Sequence, residues 1–257
     1  MRECVCDDFS SVENRVGTAG WAAPPGSIQI AEGGSHLERY ASRFSSVEIN
    51  SCFYRRHRQS TYARWAQSVP DDFRFAVKLL KEVTHVRRLI DAKEPLEAFL
   101  SDTSALGAKR DVILVQLPPS LAFVREHAVA FFTLLRRLYH GRVAFEPRHP
   151  SWFAKDVASL LSDFDAAFVE ADPPPAPLPE SSARKASFRY LRLHGSPQIY
   201  VSSYDRAQLD AVVADMRRSA LPIWCIFDNT ARGAATANGL YVRDSLLCGV
   251  ECTSPLE

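Results

Sequence analysis

The chain has 257 residues, 46% of them apolar and 24% charged. That composition is ordinary for a globular protein, and the length suits one α/β domain with a large core. Lys and Arg outnumber Asp and Glu by 31 to 30, so no global charge drives the chain onto nucleic acid or a membrane surface.

Eight apolar runs read as strands: residues 16–21, 47–51, 73–78, 112–117, 143–146, 166–172, 188–194 and 223–228. Helical spacing falls between most of them. Leu37, Tyr40, Ala41 and Phe44 follow the first. Tyr62, Trp65, Ala66 and Val69 follow the second, with Ser60 as the expected N-cap. Leu96, Phe99, Leu100 and Leu106 follow the third, and Ala128, Phe131, Phe132 and Leu135 the fourth. Val157, Leu160, Leu161 and Phe164 follow the fifth. Leu209, Val212, Val213 and Met216 follow the seventh, and Ala237, Leu240 and Tyr241 close the series. Between strands six and seven stands Pro173-Pro174-Pro175-Ala176-Pro177-Leu178-Pro179. Proline lacks the amide donor and clashes with the preceding turn, so 173–187 is expected to be a loop beside the rim.

Strict strand–helix alternation predicts a parallel sheet covered by helices. The expected fold is a TIM (β/α)8 barrel without a regular sixth helix, one domain over 1–257 with its core at about 16–247. An open doubly wound sheet is the alternative, but Gly17-Thr18-Ala19-Gly20 lies within the first strand and does not fit a dinucleotide-binding turn.

Several strands end in polar pairs. Residues two apart share a strand face. Glu48 and Asn50 therefore oppose Val47 and Ile49; Glu146 and Arg148 oppose Phe145; Arg192 and His194 oppose Leu191 and Leu193. Repeated around one barrel, such pairs converge on the C-terminal rim, where barrel enzymes place their chemistry.

These motifs resemble a known family. Gly17-Thr18-Ala19-Gly20-Trp21, the run from Val47 to Tyr54, Phe75-Ala76-Val77-Lys78 and Thr84-His85 match its opening. Gln116-Leu117-Pro118-Pro119, the run from Glu146 to Trp152 and Arg192-Leu193-His194-Gly195 match its later part. The chain resembles the domain-of-unknown-function 72, or YecE-like, family over about residues 16 to 247. The resemblance implies a TIM barrel and supplies no reaction; likeness to metal-dependent DNA-repair endonucleases is analogy of fold. The chain departs from the family at Ala22-Ala23-Pro24-Pro25, where further aromatics are common, and at Asp228-Asn229, where Asn-Asn is usual.

The catalytic candidates are Glu146, His194, Glu48 and Lys78. Glu146 is read as general acid or base with His194 as partner, and Glu48 with Glu146 as carboxylates bracketing a substrate. Lys78 is read as paired with Glu48 on the neighbouring strand. That pairing would hold its amine protonated and argues against a Schiff base. Arg148 and Arg192 offer planar forks suited to phosphate or carboxylate. His149, Trp152, Asn50, Tyr54, His85, Gln116, Asp172, Tyr204, Asp228 and Asn229 complete the substrate-binding candidates, with Trp21 as a further stacking aromatic.

The reading is an enzyme without metal or other cofactor, acting by acid/base chemistry on an anionic (phosphorylated or carboxylated) sugar-like or nucleotide-like substrate. Hydrolase, lyase and isomerase remain open. The cations would repel a dication bound by Glu146, Asp172, His194 and Asp228. One rival is a single-strand nucleic-acid binder using the basic loops 55–58 and 87–88; another is a metal-dependent phosphodiesterase; a third is a purely structural polar plug. No run of about 18 apolar residues exists, so no membrane span is expected. Residues 1–14 lack an apolar core and read as no signal peptide, and the expected location is cytoplasmic. Cys52 and Cys225 read as buried thiols. Cys4 with Cys6 and Cys248 with Cys252 lack zinc-knuckle spacing, so reduced cysteines are expected throughout. The oligomeric state is left open.

Overall fold

The computed structural model describes residues 13–22, 34–178 and 187–248. Eight strands run parallel: β1 (Arg15–Thr18), β2 (Ser46–Ile49), β3 (Arg74–Lys78), β4 (Arg110–Gln116), β5 (Arg142–Glu146), β6 (Ala166–Asp172), β7 (Arg189–Leu193) and β8 (Ile223–Phe227). They pair in sequence from β2 through β8, and β8 then pairs with β1. Seven of the strands begin and end within two residues of their expected places, and β1 stops three residues earlier, at Thr18 rather than Trp21.

Among the described residues eight α-helices accompany them: α1 (His36–Ala41), α2 (Ser51–Tyr54), α3 (Gln59–Gln67), α4 (Lys93–Thr103), α5 (Arg125–Leu138), α6 (Lys155–Asp163), α7 (Arg206–Arg218) and α8 (Ala234–Cys248). Reciprocal capping boxes begin α1 (Ser35 with Glu38) and α7 (Asp205 with Gln208). α5 buries Ala128, Phe131, Phe132 and Leu135, the stripe its sequence spacing dictates. α3 starts two residues earlier than expected: Arg58 is the N-cap and Ser60 lies in the first turn. Residues 173–178 form no helix, as the prolines require; 179–186, the rest of that expected loop, lie outside the described residues. The same holds for Ala23, Pro24 and Pro25, for Cys4, Cys6 and Cys252, and for most of the leader-like stretch considered above.

The strands separate two apolar layers. Val47, Ile49, Phe75, Val77, Phe145 and Phe227 pack outward against the helices. Ala76, Val112, Leu114, Ala144, Val169, Tyr190, Trp224 and Ile226 fill the interior. The barrel is therefore a packed core that ends in a polar layer at its C-terminal mouth.

Between β1 and β2 the ladder shrinks to one bridge, Ala19 with Glu48. Side chains close the rest of the seam. The buried Tyr40 hydroxyl accepts from the Thr18 amide (2.9 Å) and donates to the Ser46 carbonyl (3.0 Å). Ser46 Oγ donates to the Val16 carbonyl at 3.1 Å. Gly17 faces this seam, and a Cβ there would stand 2.4 Å from the Ser46 carbonyl oxygen. No helix among the described residues is long and apolar enough to cross a membrane.

Candidate active site at the barrel mouth

Strand parity sends Glu48, Glu146, Arg192 and His194 inward, and each is at most 1% exposed. Arg192 stands at their centre. Its Nε and Nη2 donate to the two oxygens of Glu48 at 3.0 and 2.6 Å. Its Nη1 donates to Glu146 at 2.9 Å, and Nη2 lies 3.1 Å from Asp228. Tyr190 hydroxyl donates to Glu48 Oε2 at 2.7 Å. His194 is held at both ring nitrogens. Nδ1 is 3.0 Å from Asp228 Oδ2, and Nε2 is 2.9 Å from Glu146 Oε1.

These contacts correct three expectations. Glu48 and Glu146 do point inward, but a guanidinium occupies the space between them, so they do not bracket an open site. Arg192 is not a rim group reading a ligand, because three carboxylates engage its three nitrogens. Lys78 is not paired with Glu48. Among the described residues no carboxylate oxygen lies within the 4.0 Å limit of an ion pair to its Nζ, which sits 4.3 Å from the centroid of the Phe53 ring. The physical reason is valence: Glu48 already accepts from Arg192 and Tyr190.

Charge balance follows the same geometry. Burial alone would raise the Glu146 carboxyl, but the Arg192 guanidinium, then His194 and Arg148, hold it well below the usual range. Asp228 is lowered against burial by Arg192, His194 and, more weakly, Lys78. Three carboxylates in turn raise Arg192 despite its burial. Lys78 goes the other way: burial first, then the neighbouring Arg192 charge, lower its affinity for a proton, and Glu48, Glu146 and Asp228 only partly oppose this. His85 lies on a π-helical turn, Glu82–Val86, after β3. Its ring meets Phe53 edge-on at 5.0 Å, and burial and Lys78 bring it down to about 4.

Arg148 follows β5 and is half-buried at the mouth. Its Nη2 reaches Glu146 Oε1 at 2.7 Å and His194 Nε2 at 3.0 Å, while its Nε is buried with no hydrogen-bond partner. Asn50 Oδ1 is likewise buried without a partner. Gln116, at the end of β4, donates to the Leu117 carbonyl at 3.0 Å and stays half-exposed. Asp172 ends β6 with its side chain partly exposed; its carbonyl accepts from the His194 amide.

Other candidates have structural placements. Trp152 packs against Phe145 and Phe123 and donates to the Leu121 carbonyl at 2.8 Å, so it offers no stacking face. Tyr204 is buried; its hydroxyl accepts from the Gly195 amide and donates to the Asp172 carbonyl. Asn229 spends its amide group on Ser202 and Asn238, fixing the loop after β7. His149 caps the short turn at Ser151. Tyr54 is 79% exposed and stands edge-on to Phe53. Trp21 packs edge-on to Trp65. Tyr190 and Phe53 were not legible as site residues. Both read as ordinary core aromatics, and only the fold sets one beneath Glu48 and the other beneath Lys78.

Among the described residues no group of three or more His, Cys, Asp and Glu side chains is placed to hold a metal ion. Arg192 takes the oxygens that such an ion would need.

The family model for "Protein of unknown function DUF72" matches residues 15–254. The chain belongs to the DUF72 family. The UPF0759 protein YecE of Escherichia coli K12 is 29% identical over 140 residues, which cover 54% of this chain and 50% of YecE. The chain thus matches the curated relatives over about half their length. The DUF72 family protein TM1631 from Thermotoga maritima MSB8 superposes with a TM-score of 0.76 at 26% identity, covering 91% of this chain and 99% of that one. At the level of fold alone the likeness extends to AP endonuclease, family 2, from Brucella melitensis, with a TM-score of 0.52 at 12% identity over 86% of this chain and 95% of that one.

Proposed function

We propose that the barrel mouth of this DUF72 protein binds a small phosphorylated or carboxylated, sugar-like or nucleotide-like molecule and acts on it by acid/base chemistry. One observation carries this reading. Among the described residues the mouth holds two cations with spare donors: Arg148, with its buried and unpartnered Nε, and Lys78, with no carboxylate in ion-pair range. A buried N–H without a partner is costly, and an oxyanion would satisfy it. Lys78, whose proton affinity is lowered by burial and by the neighbouring Arg192 charge, is the group suited to exchange a proton. Glu146, His194, Asp228 and Arg192 position Arg148 from below. Gln116, in register with Glu146 on the neighbouring strand, and Asn50, with its unpartnered Oδ1, are further polar candidates for the same guest.

The nucleic-acid reading is weaker, because most of the basic loops are already engaged. Arg56 pairs with Asp102, Arg87 with Glu82, and Arg88 donates to Ser120. Thermal melts with inorganic phosphate and sulfate test the proposal. Both anions should raise the Tm of the wild type, and Arg148→Gln should abolish that gain. Equal stabilisation of the two proteins would remove Arg148 from the site and overturn the reading.

A further inference from the structure

We propose that Lys78 is an imine-forming lysine, whose ε-amine condenses with the carbonyl group of an anionic aldehyde or ketone held by Arg148. The inference rests on the anion reading above and adds the functional group on which the chemistry occurs.

Position comes first. Lys78 is the last residue of β3, at the C-terminal end of the barrel and partly open to the mouth. Its Nζ lies against the face of Phe53, which is itself buried. The ring face 4.3 Å away favours the ammonium as a cation–π contact, whereas burial and the neighbouring Arg192 charge act the other way and favour the free, nucleophilic amine. The carboxylates that would normally clamp a buried ammonium are all committed elsewhere: Glu48 to Arg192 and Tyr190, Glu146 to Arg192, His194 and Arg148, and Asp228 to Arg192 and His194. The groups acting on Lys78 through space are therefore Arg192, Glu48, Glu146, Asp228 and, across Phe53, His85. Their balance, with burial, leaves more free amine at neutral pH than an exposed lysine has.

The step needs no oxidant or reductant. The unprotonated Nζ attacks the carbonyl carbon, and the carbonyl π pair moves to oxygen. Both nitrogen protons then pass to that oxygen, the C–O bond breaks, water leaves and the C=N bond forms. Once protonated, the imine draws electrons from the adjacent carbon, which favours loss of a proton or of a carbon group there.

The chain has only six lysines, Lys78, Lys81, Lys93, Lys109, Lys155 and Lys185, so adducts are easily assigned. Wild-type protein would be incubated with D-glyceraldehyde 3-phosphate and sodium cyanoborohydride, digested and mapped by mass spectrometry. Lys78 should carry at least about tenfold more reduced adduct than Lys81, Lys93 or Lys155, as expected for an activated amine. Excess inorganic phosphate should suppress it, and Lys78→Arg, which keeps the charge but forms no imine, should lose it. Melts with inorganic phosphate on the same preparation report the anion site separately. Phosphate stabilisation with adducts spread evenly over the lysines would overturn the imine and leave the anion reading standing. A Lys78 adduct without phosphate stabilisation or competition would uphold the imine and remove the anion reading beneath it. The comparison among lysines within the wild type holds even if Lys78→Arg fails to fold.

Discussion

Arg192 and Glu48, 144 residues apart in sequence, meet inside the barrel through two N–H···O contacts of 2.6 and 3.0 Å. Strands β2 and β7 are not neighbours in the sheet, so this pair spans the interior. Neither side chain reaches solvent. Removing one partner of such a pair leaves uncompensated buried charge, which costs far more than the pair contributes against an apolar replacement. Arg192→Gln should therefore destabilise the fold by about 3–5 kcal/mol, because Glu48 loses its one ion-pair partner among the described residues and Glu146 and Asp228 each lose a buried guanidinium partner. Urea unfolding of wild type and variant measures it. A loss below about 1 kcal/mol would show that the three carboxylates are satisfied without the guanidinium.

Acid should weaken the protein through the same cluster. Glu146 and Asp228 have folded-state affinities for a proton below those of the unfolded chain. The unfolded state therefore binds more protons as pH falls. The stabilisation is fully present above about pH 5, declines through the unfolded carboxylate range near pH 4, and is exhausted only below the folded-state values. Urea midpoints measured from about pH 6 to about pH 3 should fall, with a shallower fall for Glu146→Gln. A variant as acid-sensitive as the wild type would place the titrating groups elsewhere.

At the seam of the barrel, two small changes should be felt. Tyr40→Phe removes a buried hydroxyl that serves both the Thr18 amide and the Ser46 carbonyl, and should cost about 1–3 kcal/mol. Gly17→Ala forces a methyl group against the Ser46 carbonyl and should cost about 1–3 kcal/mol by overpacking. Thermal denaturation of each variant checks this; an unchanged Tm for Gly17→Ala would mean that β1 and β2 are free to separate.

Cys52 and Cys225 are buried free thiols, while Cys248 is exposed. Burial pushes the Cys52 thiol up to about 12, and its Sγ donates to the Lys78 carbonyl at 3.0 Å; burial raises Cys225 as well. Iodoacetamide should modify Cys248 in the native protein and reach Cys52 and Cys225 only after unfolding. Peptide mapping distinguishes the three. Native labelling of Cys52 would reveal local opening of the β2–α2 corner.

The eight strands were legible because each is a short apolar run with polar residues at one parity near its C-terminal end. Parity also gave the inward face, and so placed Glu48, Glu146, Arg192 and His194 in one region. It gave no depth along the barrel axis and no partners across it. Lys78 was read as the partner of Glu48 and Arg192 as a fork for an anion, yet the guanidinium is encased by carboxylates and the ammonium rests on a phenyl ring. The pairing of Glu48 with Lys78 failed because adjacency in the sheet was weighed and reach across it was not: a long guanidinium on β7 outcompetes an ammonium on the neighbouring strand. Trp152, Tyr204 and Asn229 make internal contacts that the sequence did not show, for a related reason. They lie on the correct side of the barrel, but loops after strands need internal fastening as well as surface groups. The π-helical turn that carries His85 has no sequence signal in its spacing.

The polar layer also fixes how far anything can enter. Glu48, Glu146, Arg192 and His194 are closed to solvent, and Tyr190 and Trp224 plug the axis below them. On the binding proposed above, an incoming molecule would meet the partly exposed Arg148 and Lys78 and go no deeper. The charged layer would then read the tip of a guest and leave the remainder outside. Selectivity for the rest of that guest has to come from the surrounding loops, so relatives with the same buried cluster are free to differ in what they take without altering a single residue of it.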